Sequence, residues 1–385
     1  MNNNRYLRHD LIDWFSQQAI AETEVAVIGA GAVGNEVLKN LALLGVGKIS
    51  IFDFDTIEEH NLTRSVLFRE ADVGRNKAEV AAERVADLDA NVSVNAHVGD
   101  FWSLLRFDDL RKMDAVFCCV DSFEARIKCN TMCILAKVDL VNTGLDSRNA
   151  VVETFPFSSS SDMACYECSL PPSVYNRISE RYSCGSLKKL SFVEKKVPTT
   201  ILTSAAAGYL SVSSGLRLGG SAGNAQSVRF FADTINGTTS RSDITKNALC
   251  PGCGRYRDME VVHIQTKRRI GRIREFQAVE QTVETSDPIL VEYCSDNTTT
   301  EVFENASRFD SAFAKSVSGE PDSVVVDIRD QFSISELVEK FPDREMPCKF
   351  AVMRSNNIIY VLEFEEQNYG TSENHCQDSG PNEKS

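Results

Sequence analysis

The chain has 385 residues, of which 42% are hydrophobic and 25% are charged. This composition is typical of globular proteins and excludes collagenous, coiled-coil and wholly disordered chains. The formal net charge is −14, because 41 Lys and Arg residues stand against 55 Asp and Glu residues. Such an excess of acid argues against nucleic acid as the main partner. At about 100–200 residues per domain, the length accommodates two or three domains.

Neither a membrane segment nor a signal peptide is visible. The most apolar stretches, at residues 25–28 and 41–46, are far shorter than the roughly 20 residues that cross a bilayer. The first ten residues are polar and lack the apolar core of a signal peptide. We therefore expect a cytoplasmic protein without a membrane partner. The chain carries twelve cysteines, and in a reducing compartment these favour metal binding over disulfide bonds.

The first half of the chain alternates between strand-like and helix-like patterns. A short apolar run at 24–29, a helical pattern at 33–44 and a second apolar run at 48–53 have the size of one βαβ unit. Strands separated by helices imply a parallel sheet with both faces covered, the Rossmann-like doubly wound α/β architecture. The pattern continues with predicted helices at 76–88 and 124–136 and strands at 92–98, 115–120 and 138–142.

The pattern changes in the second half. A helix is predicted at 201–218, between Pro198 and Gly219, and beyond residue 254 the chain becomes strand-rich. We expect residues 255–365 to form a separate, smaller α+β domain and the polar residues 366–385 to be a disordered tail. The predicted elements of the smaller domain are strands at 259–265, 289–293, 323–328, 349–353 and 358–364, and a helix at 334–341.

A glycine motif, Gly29-x-Gly31-x-x-Gly34, directly follows the first strand and opens the first helix. Glycine permits the tight turn and a close approach to phosphate, and the helix N-terminus supplies N–H donors. Asp53 lies about twenty residues further on, where a carboxylate can accept hydrogen bonds from ribose hydroxyls. The motif predicts a bound nucleotide but leaves ATP and NAD open. The alternative is that the glycines only allow close packing of helix on sheet.

Two C-x-x-C pairs, Cys165 with Cys168 and Cys250 with Cys253, offer four thiolates. Four thiolates suffice for a closed tetrahedral zinc site that leaves no position open for catalysis. The sequence therefore predicts a structural zinc ion that joins two distant segments. Two unrelated thiol pairs, or a redox motif, are the alternatives.

Several polar residues are distributed around the predicted nucleotide loop. Taken singly, each is unremarkable; Asp121, for example, could simply be the N-cap of the helix at 124–136. The motifs are Arg5-Tyr6-x-Arg8, Asn61-Leu62-x-Arg64, Gly74-x-x-Lys77 and Asp121.

Taken together with the glycine loop and the cysteine pairs, these motifs resemble the ThiF/MoeB-like adenylyltransferases, which include the activating enzymes of ubiquitin and ubiquitin-like proteins. The resemblance covers roughly residues 5–253 and implies that residues 1–254 are the adenylation domain. It implies ATP and Mg²⁺ in addition to zinc, and a homodimer. The implied roles are ribose binding by Asp53, phosphate contacts by Asn61, Arg64 and Lys77, Mg²⁺ binding by Asp121, and an arginine finger, Arg8, that reaches the neighbouring subunit's ATP.

These roles agree with the chemistry of adenylation. Attack of a carboxylate on the α-phosphate brings two anions together, so catalysis needs cations and Mg²⁺ more than an acid–base pair. The sequence has no P-loop, which excludes a Walker-type ATPase. Cys184 lies in a region where some family members carry a reactive cysteine, and it either accepts the acyl group as a thioester or is a free thiol without that role.

The leading hypothesis is Mg-ATP-dependent adenylation of a carboxylate on a peptide or protein, with release of pyrophosphate. The substrate is either the Gly-Gly tail of a ubiquitin-like or sulfur-carrier protein, or a ribosomally made precursor peptide. Peptide-modifying relatives, as in microcin C and pantocin A biosynthesis, add a substrate-recruiting domain, so the extra residues 255–365 favour a peptide substrate and antibiotic biosynthesis. The alternatives are an NAD-dependent dehydrogenase and a scaffold subunit without activity.

Overall fold

The structure, a computed structural model, covers most of the chain. Three predicted features lie outside the described residues: Cys184, the strand at 323–328 and the tail at 366–385. In the described part, no helix is long and apolar enough to cross a membrane. The described residues are 5–160, 162–171, 173–174, 198–220, 226–256, 259–283, 289–295, 300–302, 333–340, 342–343 and 345–365.

An eight-stranded sheet forms the centre of the larger part of the molecule. Its strands are β1 (Glu24–Ile28), β2 (Lys48–Asp53), β3 (Ser93–Val98), β4 (Ala115–Cys118), β5 (Asp139–Leu145), β6 (Asn149–Phe155), β7 (Val228–Asp233) and β8 (Thr238–Asp243). Their order across the sheet is β3-β2-β1-β4-β5-β6-β7-β8. Strands β1 to β5 pair in parallel, and β6 to β8 extend the sheet in antiparallel fashion. The prediction of a Rossmann-like, mostly parallel α/β sheet is confirmed.

The sequence did not predict the antiparallel extension. Strand β8, with the sequence TTSRSD, contains no large apolar residue and is exposed along its whole length. Hydrophobic periodicity cannot mark such a strand. It is held by backbone pairing with β7, which in turn pairs with β6.

Helices cover both faces of the sheet. They are α1 (Gln17–Glu22), α2 (Ala32–Leu44), α3 (Lys77–Leu88), α4 (Phe101–Leu104), α5 (Phe107–Leu110), α6 (Phe123–Ala136) and α7 (Ile201–Gly220). Apolar side chains of α2, α3 and α7 share one core cluster with the sheet, whereas those of α4, α5 and α6 belong to the cluster on the other face. The predicted helices of this part occur within two residues of their expected bounds.

A second, six-stranded sheet follows. Its strands are β9 (Glu260–Gln265), β10 (Ile270–Arg272), β11 (Ile289–Ser295), β12 (Thr300–Val302), β13 (Glu345–Ser355) and β14 (Ile358–Glu363). Their order is β12-β11-β13-β14-β9, and β10 pairs with β13. Two helices, α8 (Gln277–Val283) and α9 (Ile334–Lys340), pack on it. The expected domain boundary after residue 254 stays a prediction.

The second sheet packs against that face of the first sheet which α4, α5 and α6 cover. The rings of Trp102 in α4 and Phe350 in β13 meet edge to face, with centroids 5.1 Å apart. The buried carboxylate of Glu363 in β14 accepts hydrogen bonds from the backbone amides of Phe107 (2.8 Å) and Asp108 (3.2 Å) at the start of α5. The Arg106 guanidinium lies 3.1 Å from the same carboxylate. The two sheets therefore share one apolar core and an ion pair whose carboxylate is buried and whose guanidinium is half-buried.

Candidate nucleotide-binding site and metal centre

The glycine motif forms the turn between β1 and α2. Gly29 has a φ of +92°, which favours glycine, and its amide donates to the Phe52 carbonyl of β2 (2.8 Å). A Cβ on Gly34 would lie 1.9 Å from the Gly29 carbonyl oxygen, so these two glycines are required by packing. A Cβ on Gly31, the N-cap of α2, would meet no atom of the described residues within 4 Å. The N-terminus of this 13-residue helix therefore opens onto space that an anion can enter.

Asp53 ends β2 beside this turn. Its Oδ2 accepts from the Ala30 amide (2.7 Å) and its Oδ1 accepts from the Asp55 amide (2.8 Å). Burial raises the pKa of the Asp53 carboxyl, and the nearby Lys77 ammonium opposes that shift. Each carboxylate oxygen keeps a further lone pair, so the side chain is able to accept hydrogen bonds from a diol.

Lys77 is the first residue of α3. The side chain of Asn76 caps this helix by accepting from the amides of Ala78 and Glu79. The Lys77 side chain is only 12% exposed, and its ammonium donates to Asp55 (2.7 Å). A phosphate at the glycine turn would compete with the exposed Asp55 carboxylate for this cation.

Asn61 and Arg64 lie on a loop that approaches the start of α2. The Asn61 side chain accepts from the Glu58 amide (3.0 Å) and so stabilises the loop itself. The half-buried Arg64 donates to the His60 carbonyl (2.6 Å). In this structure both side chains therefore make local contacts.

Asn35 joins this loop to the glycine turn, and the sequence analysis missed it. Its side-chain amide donates to the carbonyls of Ala30 (2.7 Å) and Gly31 (3.0 Å), and its Oδ1 accepts from the Leu67 amide (2.9 Å). Asn35 is fully buried. The one available signal was a polar residue on the apolar face of α2, directly after Gly34.

Asp121 follows β4, at the same sheet edge as the glycine turn. The chain ends of β1 and β4 touch, because the Cys119 amide donates to the Ile28 carbonyl (2.8 Å). The Asp121 side chain is exposed. The N-cap of α6 is Ser122, whose hydroxyl accepts from the Ala125 amide (3.2 Å). The alternative role of Asp121 as an N-cap is therefore wrong.

Arg8 does not lie at the nucleotide site of its own subunit. Its neighbours Arg5 and Tyr6 bind to Leu88 and Asp89, at the end of α3 opposite Lys77. Helix α3 has 12 residues and is about 18 Å long. The exposed Arg8 thus belongs to a segment anchored far from the glycine turn of the same subunit.

The four cysteines of the C-x-x-C pairs come together. The sulfurs of Cys165 and Cys250 are 3.6 Å apart, those of Cys168 and Cys253 are 3.5 Å apart, and all four lie within 4.8 Å of one another. A tetrahedral zinc ion with Zn–S bonds of about 2.3 Å needs sulfurs about 3.8 Å apart, so this donor set fits. Burial raises the pKa of the Cys165 thiol, and a divalent cation would hold it as the thiolate.

The four cysteines and the glycine turn lie at opposite ends of the strands of the first sheet. Because β6 runs antiparallel to β5, the chain that leaves β6 toward Cys165 emerges at the edge opposite the glycine turn. Three of the four cysteines are buried and the fourth is half-buried. Four protein ligands leave no open position for a substrate, so the centre suits a structural role.

This fold and site define a class of protein: a Rossmann-like α/β protein with a candidate nucleotide site at the carboxyl ends of its strands and a cluster of four cysteines that could hold a metal ion. A family model described as the ThiF family matches residues 4–252. The match covers more than half of the chain, and the chain belongs to the ThiF family. The predicted family resemblance is thereby confirmed.

Curated relatives include ubiquitin-like modifier-activating enzyme 5 of Bombyx mori, which is 31% identical over 195 residues, 48% of either chain. The SUMO-activating enzyme subunit 2 of Dictyostelium discoideum is 36% identical over 126 residues, 32% of this chain and 19% of that protein. The chain spans about half the length of the first of these relatives.

Solved structures of E. coli MccB share the fold. The complex with ATP aligns with a TM-score of 0.52 at 25% identity, over 66% of this chain and 75% of MccB. The complex with AMPCPP and selenomethionine-labelled MccA aligns with a TM-score of 0.53 at 26% identity, over the same shares.

Proposed function

We propose that this protein is an ATP-dependent adenylyltransferase that activates a carboxylate and releases pyrophosphate. The observation that carries the proposal is the convergence of the open helix N-terminus at Gly31, the half-buried Asp53 and the Lys77 ammonium at one sheet edge, with Asp121 after the adjoining strand. This arrangement offers charge stabilisation rather than an acid–base pair, as adenylation requires. The likeness to MccB crystallised with ATP supports it.

The chain's own residues would act mainly by binding and orienting ATP. Asp53 would accept hydrogen bonds from the ribose hydroxyls. The Lys77 ammonium would leave the Asp55 carboxylate and bind a phosphate oxygen instead. The Arg64 guanidinium would add a second positive charge. Asp121 is the exposed carboxylate that would hold Mg²⁺, which neutralises charge on the phosphates. These charges lower the barrier because they favour the pentacovalent α-phosphate and the departing pyrophosphate over the ground state.

A peptide is the substrate that we favour. MccB has been crystallised with MccA, and the second sheet of this chain gives it a region beyond the matched family model that a substrate could contact. The alternative is the C-terminal Gly-Gly of a ubiquitin-like protein, supported by the likeness to ubiquitin-like modifier-activating enzyme 5. The dehydrogenase alternative loses its basis, because the glycine turn and three of the four clustered cysteines, Cys165, Cys168 and Cys250, fall within one ThiF match.

A homodimer and a structural zinc ion belong to the same proposal. Leu7, Leu11 and Trp14, on either side of Arg8 in the sequence, are 62%, 76% and 81% exposed, and a second subunit would cover them while receiving the Arg8 finger. The eight cysteines whose side chains the structure describes are free thiols, which agrees with the reducing cytoplasm where we propose to place the protein. A thioester at Cys184 remains a proposal that only a trapped intermediate can test.

ATP–pyrophosphate exchange tests the proposal. The assay is run with candidate precursor peptides and with ubiquitin-like proteins that end in Gly-Gly. We expect exchange with one class, and a loss of at least about 100-fold in Lys77→Met and Asp121→Asn. The matched control is Lys112→Met, because Lys112 is exposed and pairs with Asp109 away from the site. Retention of full exchange in both site variants would refute the assigned roles and favour a scaffold.

A further inference from the structure

Arg126 holds the turn that carries Asp121. The sequence motifs gave this arginine no role. Arg126, one turn into α6, donates one guanidinium nitrogen to the Val120 carbonyl, directly before Asp121. Its other terminal nitrogen donates to Asn142 Oδ1 of β5 (2.6 Å). Arg126 thus spans the gap between the end of β4 and the middle of β5.

Asn142 is buried, and its amide has a defined orientation. The NH₂ group donates to Glu153 of β6 (2.9 Å), so the carbonyl oxygen must face Arg126. A carboxylate at Glu153 leaves no alternative, because an amide turned the other way would place two acceptors against each other. The Asn142 side chain therefore transmits the position of Glu153 to Arg126.

Glu153 is itself fixed from the other side. It is buried, and Arg229 of β7 donates to its Oε1 from two nitrogens, at 2.9 and 2.6 Å. The same guanidinium donates to the Ser169 hydroxyl (2.8 Å), one residue after Cys168. A buried carboxylate costs several kcal/mol unless it is paired, so this network has few other arrangements.

From this geometry we propose that Arg126 is a positioning residue: it fixes the Val120–Asp121 turn, and the Asn142–Glu153–Arg229 network holds Arg126. Three strands thereby connect the turn to the segment that carries the first cysteine pair. The inference rests on the proposed function in one respect, since it assigns to Asp121 the Mg²⁺ whose affinity the turn would set. Pre-organisation of such a carboxylate lowers the cost of binding the cation.

The first test does not depend on activity. Hydrogen–deuterium exchange of the segment 119–126 is compared in the unliganded wild type, Arg126→Met and Arg126→Lys. We expect about tenfold faster exchange in Arg126→Met, because both charged hydrogen bonds are lost, and a smaller increase in the lysine variant. Arg148→Met is the matched control: Arg148 forms a two-pronged ion pair with Asp233 (2.9 and 2.6 Å) and should leave this segment unchanged.

The second test measures the Mg²⁺ dependence of pyrophosphate exchange. We expect the Mg²⁺ concentration for half-maximal exchange to rise about tenfold in Arg126→Met, with most of the maximal rate retained at saturating Mg²⁺. Asn142→Ala should shift it in the same direction by a smaller factor. If Arg126→Met does not fold, Arg126→Lys and Asn142→Ala answer the same question.

The outcomes separate the inference from the proposed function. Unchanged exchange of segment 119–126 in the folded Arg126 variants would overturn the positioning role, whatever the activity. Faster deuterium exchange in a protein whose wild type shows no pyrophosphate exchange would support the positioning role while refuting adenylation.

Discussion

At the scale of single residues, the nucleotide site depends on neutral as well as charged side chains. Lys77 and Asp53 are the residues that a sequence motif identifies. Asn35 is the residue that holds the surrounding backbone, because it bonds the glycine turn and the Arg64 loop at once. A fully buried amide with three hydrogen bonds is costly to replace, since each abandoned backbone group is left unpaired.

We therefore expect Asn35→Ala to lower the free energy of unfolding by about 2–4 kcal/mol and to weaken ATP binding. The loss of affinity arises because the Arg64 loop is no longer tied to the glycine turn. Urea denaturation and calorimetric titration with ATP measure the two effects. Asn95→Ala, at an exposed position in β3, is the control and should change neither quantity appreciably. A variant that kept wild-type ATP affinity would show that Asn35 supports stability alone.

At the scale of elements, the contact between the two sheets depends on a carboxylate. Glu363 lies at the end of β14, yet its partners, the amides of Phe107 and Asp108, are more than 250 positions earlier in the chain. The Arg106 guanidinium and the side-chain amide of Gln265 are the further donors around this buried charge. Apolar packing of Trp102 on Phe350 supplies contact area, whereas Glu363 fixes the relative position of the elements.

Glu363→Gln should lower the free energy of unfolding by about 3 kcal/mol, because the neutral side chain removes the charge that pairs with Arg106 and turns an NH₂ toward groups that are themselves donors. Chemical denaturation measures the change. The control is Glu365→Gln, two residues on, where the carboxylate is half-exposed and lies 3.8 Å from Arg269. That substitution should cost under about 1 kcal/mol. Equal effects of the two substitutions would contradict the role given to Glu363.

At the scale of the whole molecule, the four-cysteine cluster and the proposed homodimer are the features that would join distant parts of the protein. The four cysteines join the chain after β6 to the chain after β8, a separation of 85 residues between the pairs. Closing such a loop with a metal restricts the unfolded chain and adds the binding energy of the ion to the folded state.

Purified protein should contain one zinc ion per chain, and Cys253→Ser should reduce the zinc content and lower the melting temperature. Elemental analysis and thermal denaturation are the measurements. Cys133→Ala, which changes a buried thiol outside the cluster, should keep the full zinc content. ATP affinity of the folded fraction should persist in Cys253→Ser, since the centre lies at the opposite sheet edge. Full zinc content in Cys253→Ser would contradict the four-cysteine site.

The proposed homodimer, in which Arg8 reaches the partner's site, predicts complementation between two inactive variants. Arg8→Ala lacks the finger and Lys77→Met lacks the phosphate contact, but a mixed dimer contains one intact site. After the two proteins are unfolded and refolded together, pyrophosphate exchange should recover to about a quarter of the wild-type rate, as random pairing requires. If both variants are inactive alone and no activity returns on mixing, Arg8 acts within its own subunit or the protein is not a dimer.

Sequence alone determined the features that local spacing encodes. The turn from β1 to α2, Asp53 at the end of β2 and the two C-x-x-C pairs each depend on residues a few positions apart, and the structure has them where the pattern indicated. Their spacing reflects backbone geometry, because a tight turn needs Gly29 and a metal turn needs two cysteines at a fixed interval.

Only the tertiary structure decided the rest. Strand β8 has no apolar pattern and exists through its pairing with β7. Ser122, and not Asp121, caps the N-terminus of α6. Arg126 and Glu363 form hydrogen bonds with residues that are distant in sequence. A buried charge is satisfied by whichever donors the fold brings to it, and no local spacing encodes which donors those are.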